Sequence, residues 1–104
     1  MAIYDLSKGF PREETYSLTD QVRRSSRSVC ACIAEACFKR HYPAAFTSKL
    51  LDAASEANET RCWLDFAGRC GFAAEPVVGS MDASYRRTLG MLVGMANRPQ
   101  EGRL

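Results

Sequence analysis

Apolar residues recur at the three- and four-residue spacing of an amphipathic helix in three long stretches of this chain. The alternation of apolar and polar residues that is typical of a half-buried strand is almost absent. A short additional helix is predicted at the front, from Ala2 to Lys8, with Gly9 as a left-handed cap and Pro11 preventing continuation. These patterns predict an all-α fold.

The second helix is predicted to begin near Ser17, where Ser17 and Asp20 form a short variant of the capping box. It should end before Pro43, because the residue preceding a proline disfavours the α conformation. At about 100° per residue, one stripe of this helix faces the core. Its residues are Leu18, Val22, Val29, Ile33 and Ala36.

The third helix is predicted from Pro43 to about Arg69, with Gly71 as its stop signal, and the last helix from Glu75 onward. The core stripe of the third helix contains Phe46, Leu50, Ala53, Ala57, Leu64 and Ala67. That of the last helix contains Val77, Met81, Tyr85, Thr88, Leu92 and Met95. We therefore expect one helical domain over residues 1–96 and a flexible polar tail over residues 97–104.

Length and composition limit the class of protein. A chain of 104 residues, 46% of them hydrophobic, can build one core, but a domain this small would gain from assembling into an oligomer. The sequence contains no apolar segment long enough to span a membrane and no signal-peptide pattern. The odd cysteine count of five, without a secretion signal, indicates reduced thiols and a cytoplasmic protein.

The cysteines suggest a metal site only at first sight. Cys30 and Cys32 lie two residues apart, so on a helix they point in different directions, and His41 lies beyond the predicted helix end. A single histidine in a turn is also weak support for cysteine catalysis. We predict no metal site and no catalytic residue.

Three glutamates are further candidates for chemistry. Glu56 and Glu59 could share a helix face, as paired acid–base carboxylates do, but no Glu-x-x-His motif follows. Two glutamates at this spacing more often form salt bridges on the protein surface. Glu35 lies among small residues and, if partly buried, should pair with an arginine. No phosphate-binding glycine loop is present, so we predict no cofactor and no small-molecule substrate.

Basic residues are the remaining functional signal, although 14 Lys and Arg against 12 Asp and Glu give a net charge of only +2. The candidate nucleic-acid-binding residues are Arg23, Arg24, Arg27, Lys39, Arg40, Arg86 and Arg87. The alternative is a solubilising surface with salt bridges between subunits. For the first three arginines, a further alternative is that one pairs across helices with Glu35, Glu56 or Glu59.

Four apolar or cysteine residues lie off the core stripes and predict an interface between subunits. They are Phe38, Cys62, Trp63 and Phe66. A chain of this size with one core cannot bury all of them internally, so we expect a homo-oligomer.

Several motifs resemble one known family. Residues 16–24 (Tyr-Ser-Leu-Thr-Asp-Gln-Val-Arg-Arg), followed by Ser28-Val29 and Ile33-Ala34-Glu35, resemble the central motif of four-helix bundle proteins encoded in intervening sequences of bacterial 23S ribosomal RNA. These proteins are also called S23 ribosomal proteins. Residues 59–67, with Cys70-Gly71-Phe72 after them, are similar to the motif of the third helix of that family. The lead Phe10-Pro11-x-Glu13-Glu14 also matches, and the resemblance covers about residues 3–95.

The resemblance implies an up-and-down four-helix bundle, here with a shortened first helix, a homopentamer and no enzymatic activity. The family is similar in fold to the accessory protein of diversity-generating retroelements, which forms a five-membered ring and binds a reverse transcriptase and nucleic acid. The chain departs from the family where Cys30, Cys32 and Ala36 replace the usual Pro, Asn and Gly.

Two functions are therefore expected. The first is a non-enzymatic homo-oligomeric scaffold that binds RNA or a nucleic-acid enzyme, such as a reverse transcriptase, through a basic surface. The alternative is a structural or protein-interaction module with no nucleic-acid role. Salt-titrated binding separates the two, because phosphate contacts give a steep dependence on salt.

Overall fold

Four helices make up the fold in the computed structural model, which describes residues 2–97. Helix α1 spans Ala2–Ser7, α2 spans Asp20–Phe38, α3 spans Pro43–Arg69 and α4 spans Glu75–Asn97. Within the described residues there is no strand, and the all-α up-and-down bundle with a short first helix is confirmed. Asn97, which we assigned to the tail, is the last residue of α4, and the rest of that predicted tail lies outside the described residues.

The start of α2 differs from the prediction. A 3₁₀ turn at Arg12–Glu14 and a π-helical turn at Thr15–Thr19 lead directly into α2. Ser17 lies inside this helical lead, and its hydroxyl donates to the Glu14 carboxylate at 2.8 Å. The predicted capping box is therefore wrong, because no free helix end exists at Ser17 for a side chain to cap.

The end of α1 also differs from the prediction. Gly9 does not adopt a left-handed conformation; its N–H donates to the Leu6 carbonyl at 3.1 Å. A tight turn with ordinary φ values therefore ends α1, and the predicted left-handed cap is wrong there.

Both predicted boundaries of α3 are confirmed. Tyr42 is extended, with φ −119° and ψ 93°, and Pro43 occupies the first turn. At the other end, Gly71 has a φ of 75°. Its N–H donates to the Gly68 carbonyl at 3.2 Å, and the Phe72 N–H donates to the Ala67 carbonyl at 2.9 Å. This is the hydrogen-bond pattern of a Schellman motif, which needs a residue that tolerates positive φ.

The predicted core residues of α3 and α2 are nearly all buried, whereas most of those of α4 are not. All six predicted stripe residues of α3 are buried, and so are those of α2 except Ile33, which is half-buried. Of the α4 stripe, only Leu92 is buried, and Val77 is 42% exposed. The bundle thus has a well-buried α2–α3 layer and a more exposed fourth helix.

The overall shape follows from the short first helix. The molecule measures 44 × 23 × 17 Å, with α3 packed against both α2 and α4. Two stacked helix layers need about 20 Å, because one helix with its side chains is about 10 Å across. Helix α1 lies against α2 at one end of the bundle, where it covers part of the side of α2 and α4 that faces away from α3.

Candidate interaction surfaces

Arg23 fastens α1 to α2. Its Nε donates to the Ser7 Oγ at 2.7 Å, and its guanidinium lies 4.3 Å from the centroid of the Tyr4 ring. Ser7 is buried and donates in turn to the Tyr4 carbonyl at 2.9 Å. A guanidinium that both stacks on an aromatic ring and donates to a buried hydroxyl stabilises the position of a short helix. Arg23, predicted as a nucleic-acid contact, therefore has a structural role in the fold.

Arg24 connects α2 to α3. Its guanidinium donates to both Glu56 oxygens at 3.3 Å and to Glu59 at closer range. Trp63 Nε1 donates to the same Glu59 carboxylate at 3.1 Å, and Ser28 Oγ donates to Glu56 at 3.1 Å. The hydrogen bonds that Arg24 donates, first to Glu59 and then to Glu56, raise the pKa of Arg24. Arg24 thus makes the cross-helix pairing that we considered as the alternative to a nucleic-acid role.

Arg27 differs from its two neighbours. It is exposed, and within residues 2–97 it forms no ion pair. Together with Arg23 and Arg24 it lines a shallow depression on the outer face of α2. Of these three arginines, Arg27 is the one whose side chain makes no hydrogen bond or ion pair within residues 2–97.

The other basic candidates lie apart from this cluster. Arg40 Nη1 donates to the Cys37 carbonyl at 3.0 Å at the end of α2, and Lys39 is half-buried beside it. Sixteen residues separate Arg24 from Arg40, which on a helix is about 24 Å. Arg86 and Arg87 are exposed on α4, where Arg87 donates to Ser84 Oγ at 3.2 Å. The seven predicted residues therefore do not form one basic patch on a single chain.

Glu35 is exposed and its partner is a lysine. Lys49 Nζ lies 2.8 Å from the Glu35 carboxylate and 3.7 Å from that of Asp52. The hydrogen bond and the charge of Lys49 lower the pKa of Glu35, and Glu35 raises the pKa of Lys49. The arginine partner was expected only for a partly buried Glu35, and that condition is not met: Lys49 of α3 faces this exposed position across the helix contact.

The cysteines behave as separate side chains. All five are free thiols; Cys32 is buried and Cys30 is exposed, as their spacing on one helix predicts. Within residues 2–97, no cluster of three or more His, Cys, Asp or Glu residues could hold a metal ion.

The predicted interface residues fall into two groups. Phe38 is 84% exposed and Phe66 is 47% exposed, and Cys62 is also exposed. Trp63 instead packs against its own chain, beside Leu64 and Ala67, and is half-buried.

Several other apolar side chains are exposed that the sequence did not single out. They include Tyr16, Tyr42, Leu51 and Met91, which are 85%, 69%, 47% and 67% exposed. Helical spacing could have identified Leu51, because it lies on the same outer face of α3 as Cys62 and Phe66.

The fold and these contacts define a helical-bundle protein in which several polar side chains connect one helix to another. The sequence profile of the 23S rRNA-intervening sequence proteins matches residues 1–94, so the chain belongs to this family.

A similar solved structure is the 1.70 Å crystal structure of a protein of unknown function from the S23 ribosomal protein family of Bacteroides thetaiotaomicron VPI-5482. It is 28% identical, with a TM-score of 0.80, over 90% of this chain and 87% of that chain. No curated protein matches the chain. Neither the family description nor that of the solved structure names an enzymatic reaction. No helix within residues 2–97 is both long and apolar enough to cross a membrane.

Proposed function

We propose that this chain is a non-enzymatic scaffold that assembles with copies of itself through the outer face of α3 and the turn between α2 and α3. The observation that carries the proposal is the exposure of large apolar side chains there. On α3, Leu51 and Phe66 are each 47% exposed, with Cys62 between them. Phe38 and Tyr42, at the turn between α2 and α3, are 84% and 69% exposed.

The arrangement of these side chains favours a partner over solvent. Leu51, Cys62 and Phe66 are 11 and four residues apart, which places them on one face of α3, opposite the buried Leu64. An apolar row on a rigid helix is typical of surfaces that associate, whereas single exposed apolar residues need no explanation. The resemblance to the family implies that the assembly is a ring of five.

Light scattering tests the assembly. We expect a mass near five times the 11.5 kDa of one chain for the unmodified protein. The variant carrying both Leu51→Glu and Phe66→Glu should shift toward the monomer, because two charges would be buried in the interface. Val93→Glu, at an exposed apolar residue of α4, is the matched control and should keep the assembly. A monomer mass for the unmodified protein at micromolar concentration would overturn the proposal.

RNA binding is a second candidate function, favoured by the exposed arginines. Arg27, Arg86 and Arg87 form no ion pair within residues 2–97. Repeated around a ring, they would concentrate the modest +2 charge of each chain into a basic surface. Arg23 and Arg24 contribute less to such a surface, because their guanidiniums are engaged within the chain.

A salt titration with single-stranded RNA tests this second function. Replacing Arg27, Arg86 and Arg87 with glutamine should weaken binding and flatten its dependence on salt, with the assembly unchanged. Arg24→Gln is the matched control: it should affect stability more than RNA affinity. The absence of RNA binding by the unmodified protein at low salt would leave a protein-interaction scaffold as the function.

A further inference from the structure

Charge is unevenly distributed along the bundle. Residues 36–51, which contain the turn between α2 and α3, carry three basic residues and no acidic one. Residues 83–97 of α4, which pack beside the start of α3, carry two basic residues and no acidic one. The sequence after Asn97 adds two arginines and one glutamate, so it does not reverse this sign. The end of the bundle that contains the turn is therefore positive.

The rest of α3 and the start of α4 have the opposite charge. Residues 52–82 contain six acidic residues and two basic ones. The acidic residues are Asp52, Glu56, Glu59, Asp65, Glu75 and Asp82, and the basic ones are Arg61 and Arg69. Each of these two arginines pairs with one carboxylate, Asp82 or Asp65, which leaves the other acids of the segment to be compensated from elsewhere.

The compensation from elsewhere is incomplete. Arg24 of α2 is shared between the Glu56 and Glu59 carboxylates. Lys49 is likewise shared between a carboxylate of α2 and one of α3. Each of these two groups therefore keeps one negative charge in excess at the contact between α2 and α3.

The negative groups border the exposed apolar row of α3. Asp52, Glu59 and Phe66 follow one another at seven-residue spacing, so they lie along one line of the helix. The side chains of Asp52 and Glu59 are 56% and 37% exposed. The row formed by Leu51, Cys62 and Phe66 is thus an apolar surface with a negative edge.

The turn between α2 and α3 combines apolar surface with the opposite charge. Phe38 and Tyr42 expose most of their rings, and between them Lys39 and Arg40 form no ion pair within residues 2–97. Arg40 donates a hydrogen bond to the Cys37 carbonyl, which carries no net charge, so its own positive charge stays uncompensated. The turn therefore complements the row of α3 in both polarity and charge.

The turn and the far end of the row cannot meet within one chain. Pro43 and Phe66 are 23 residues apart on one continuous helix, which is about 35 Å. Contacts between two copies can join like surfaces or unlike ones. Like surfaces would place positive turns together or negative edges together, and like charges across an interface oppose association. Charge therefore favours contact between unlike surfaces.

We infer, on the basis of the self-assembly proposed above, that copies join head to tail, with the turn of one copy docked on the α3 row of the next. Phe38 and Tyr42 supply the apolar contact, and Lys39 and Arg40 lie beside the negative edge of the row. Each copy then uses two different surfaces, as a ring requires.

Two variants that each disable one surface test the order of the copies. Phe38→Glu with Arg40→Glu disables the turn, and Leu51→Glu with Phe66→Glu disables the row. Each variant alone should be a monomer. Their equimolar mixture should form a species of twice the 11.5 kDa of one chain, with one copy of each variant, because one intact turn and one intact row remain. Native mass spectrometry measures both the mass and the composition.

The same measurement separates this inference from the proposed self-assembly. If the unmodified chain assembles but the mixture forms no mixed dimer, or if the turn variant alone dimerises, the head-to-tail order is overturned and self-assembly stands. A mass of two chains for the unmodified protein would mean a reciprocal dimer and would overturn the order as well. A monomeric unmodified chain would remove both proposals.

A matched control and a salt titration complete the test. Arg87→Glu with Val93→Glu makes the same change in charge on exposed residues of α4 and should assemble as the unmodified chain does. All substituted residues are exposed, so circular dichroism should show every variant folded. The dissociation constant of the unmodified assembly should rise by about threefold or more between about 0.05 M and about 0.5 M salt. An assembly that salt leaves unchanged or tightens would contradict the pairing of opposite charges.

Discussion

The contact between α2 and α3 and the contact between α3 and α4 are built differently. At the first, the buried Thr60 hydroxyl donates to the Glu56 carbonyl at 2.9 Å and lies 2.8 Å from Ser25 Oγ, which is also buried. The hydrogen bonds that Arg24, Ser28 and Trp63 donate to Glu56 and Glu59 lie around this pair of hydroxyls. At the second, Arg61 and Asp82 form the ion pair, and α4 contributes two buried residues out of 23, compared with eight out of 27 on α3.

The two contacts should therefore contribute differently to the stability of the fold and to the binding of other molecules. The α2–α3 pair buries both apolar and polar groups with their partners satisfied, which stabilises one arrangement. Helix α4 leaves much of its surface half-exposed, so a larger share of it remains free to contact other molecules. We expect perturbations at α2–α3 to cost stability and those at α4 to change mainly its interactions.

The largest effect on stability should come from truncating a fully buried leucine of the hydrophobic core. Leu64→Ala, at a fully buried position of α3, should lower the free energy of unfolding by about 3 kcal/mol through lost burial and a cavity. Leu89→Ala, at a half-buried position of α4, should cost less than about half of that. Urea titration measures both, and equal losses would contradict the contrast between the two contacts.

The buried hydroxyl pair should give the next largest effect. Thr60→Val removes a donor and leaves Ser25 and the Glu56 carbonyl with fewer partners, which should cost about 1–2 kcal/mol. Thr88→Val makes the same change on α4, where the hydroxyl donates to the Ser84 carbonyl at 3.1 Å in an exposed setting. That variant should be nearly neutral. Chemical denaturation of the two variants side by side checks the difference.

Two glycines should respond in opposite directions. Gly71→Ala should destabilise by about 1 kcal/mol, because alanine is strained at the φ of 75° that ends α3. Gly90→Ala, inside α4 with open space where a Cβ would stand, should stabilise by about 0.5–1 kcal/mol through helix propensity. Thermal unfolding measures both, and a loss of stability at Gly90 would indicate a close neighbour in the assembled protein.

Replacing Arg24 or Arg27 should change the free energy of unfolding by smaller amounts, and the two changes should differ. Arg24→Gln should cost about 0.5 kcal/mol, because the side chain is 47% exposed and solvent screens its pairs with Glu56 and Glu59. Arg27→Gln should leave the free energy of unfolding unchanged. A loss at Arg27 as large as that at Arg24 would mean that Arg27 has a structural partner in the assembly.

The smallest effect should be a pH dependence at the Glu35–Lys49 pair. The folded state lowers the pKa of Glu35, so its contribution to stability is present above the ordinary carboxyl pKa. That contribution is lost as the pH falls through the lowered value. Lys49 has a raised pKa, so its contribution is present at neutral pH and is lost only as the pH rises through the raised value.

Glu35→Gln tests that pH dependence. The stability difference between Glu35→Gln and the unmodified chain should shrink as the pH is lowered, measured by urea unfolding. A difference that is constant with pH would remove the ion pair as its source.

The sequence predicted most of the secondary structure and little of the roles of its polar side chains. Pro43 and Gly71 marked the ends of α3 correctly, because each restricts the backbone by itself. The start of α2 was missed, since no residue in the irregular helical lead from Arg12 to Thr19 has a propensity that distinguishes a 3₁₀ or π turn from an α-helix.

The arginines show the limit of sequence reasoning about the site. Arg23, Arg24 and Arg27 share a side of α2 by spacing, as predicted, and local sequence does not distinguish them. Their partners do, and these come from α1 for Arg23 and from α3 for Arg24. Whether the three bind nucleic acid stays a prediction.

The sequence by itself determined which faces of α2 and α3 are buried, where α3 begins and ends, and the family to which the chain is related. Helical periodicity, proline and glycine act over a few residues, so they can be read without a fold. Only the tertiary structure decided that Arg23 and Arg24 hold helices together and that Glu35 pairs with a lysine. Each of these depends on which helix lies beside which, and contacts between residues far apart in the chain are set by packing of the whole bundle.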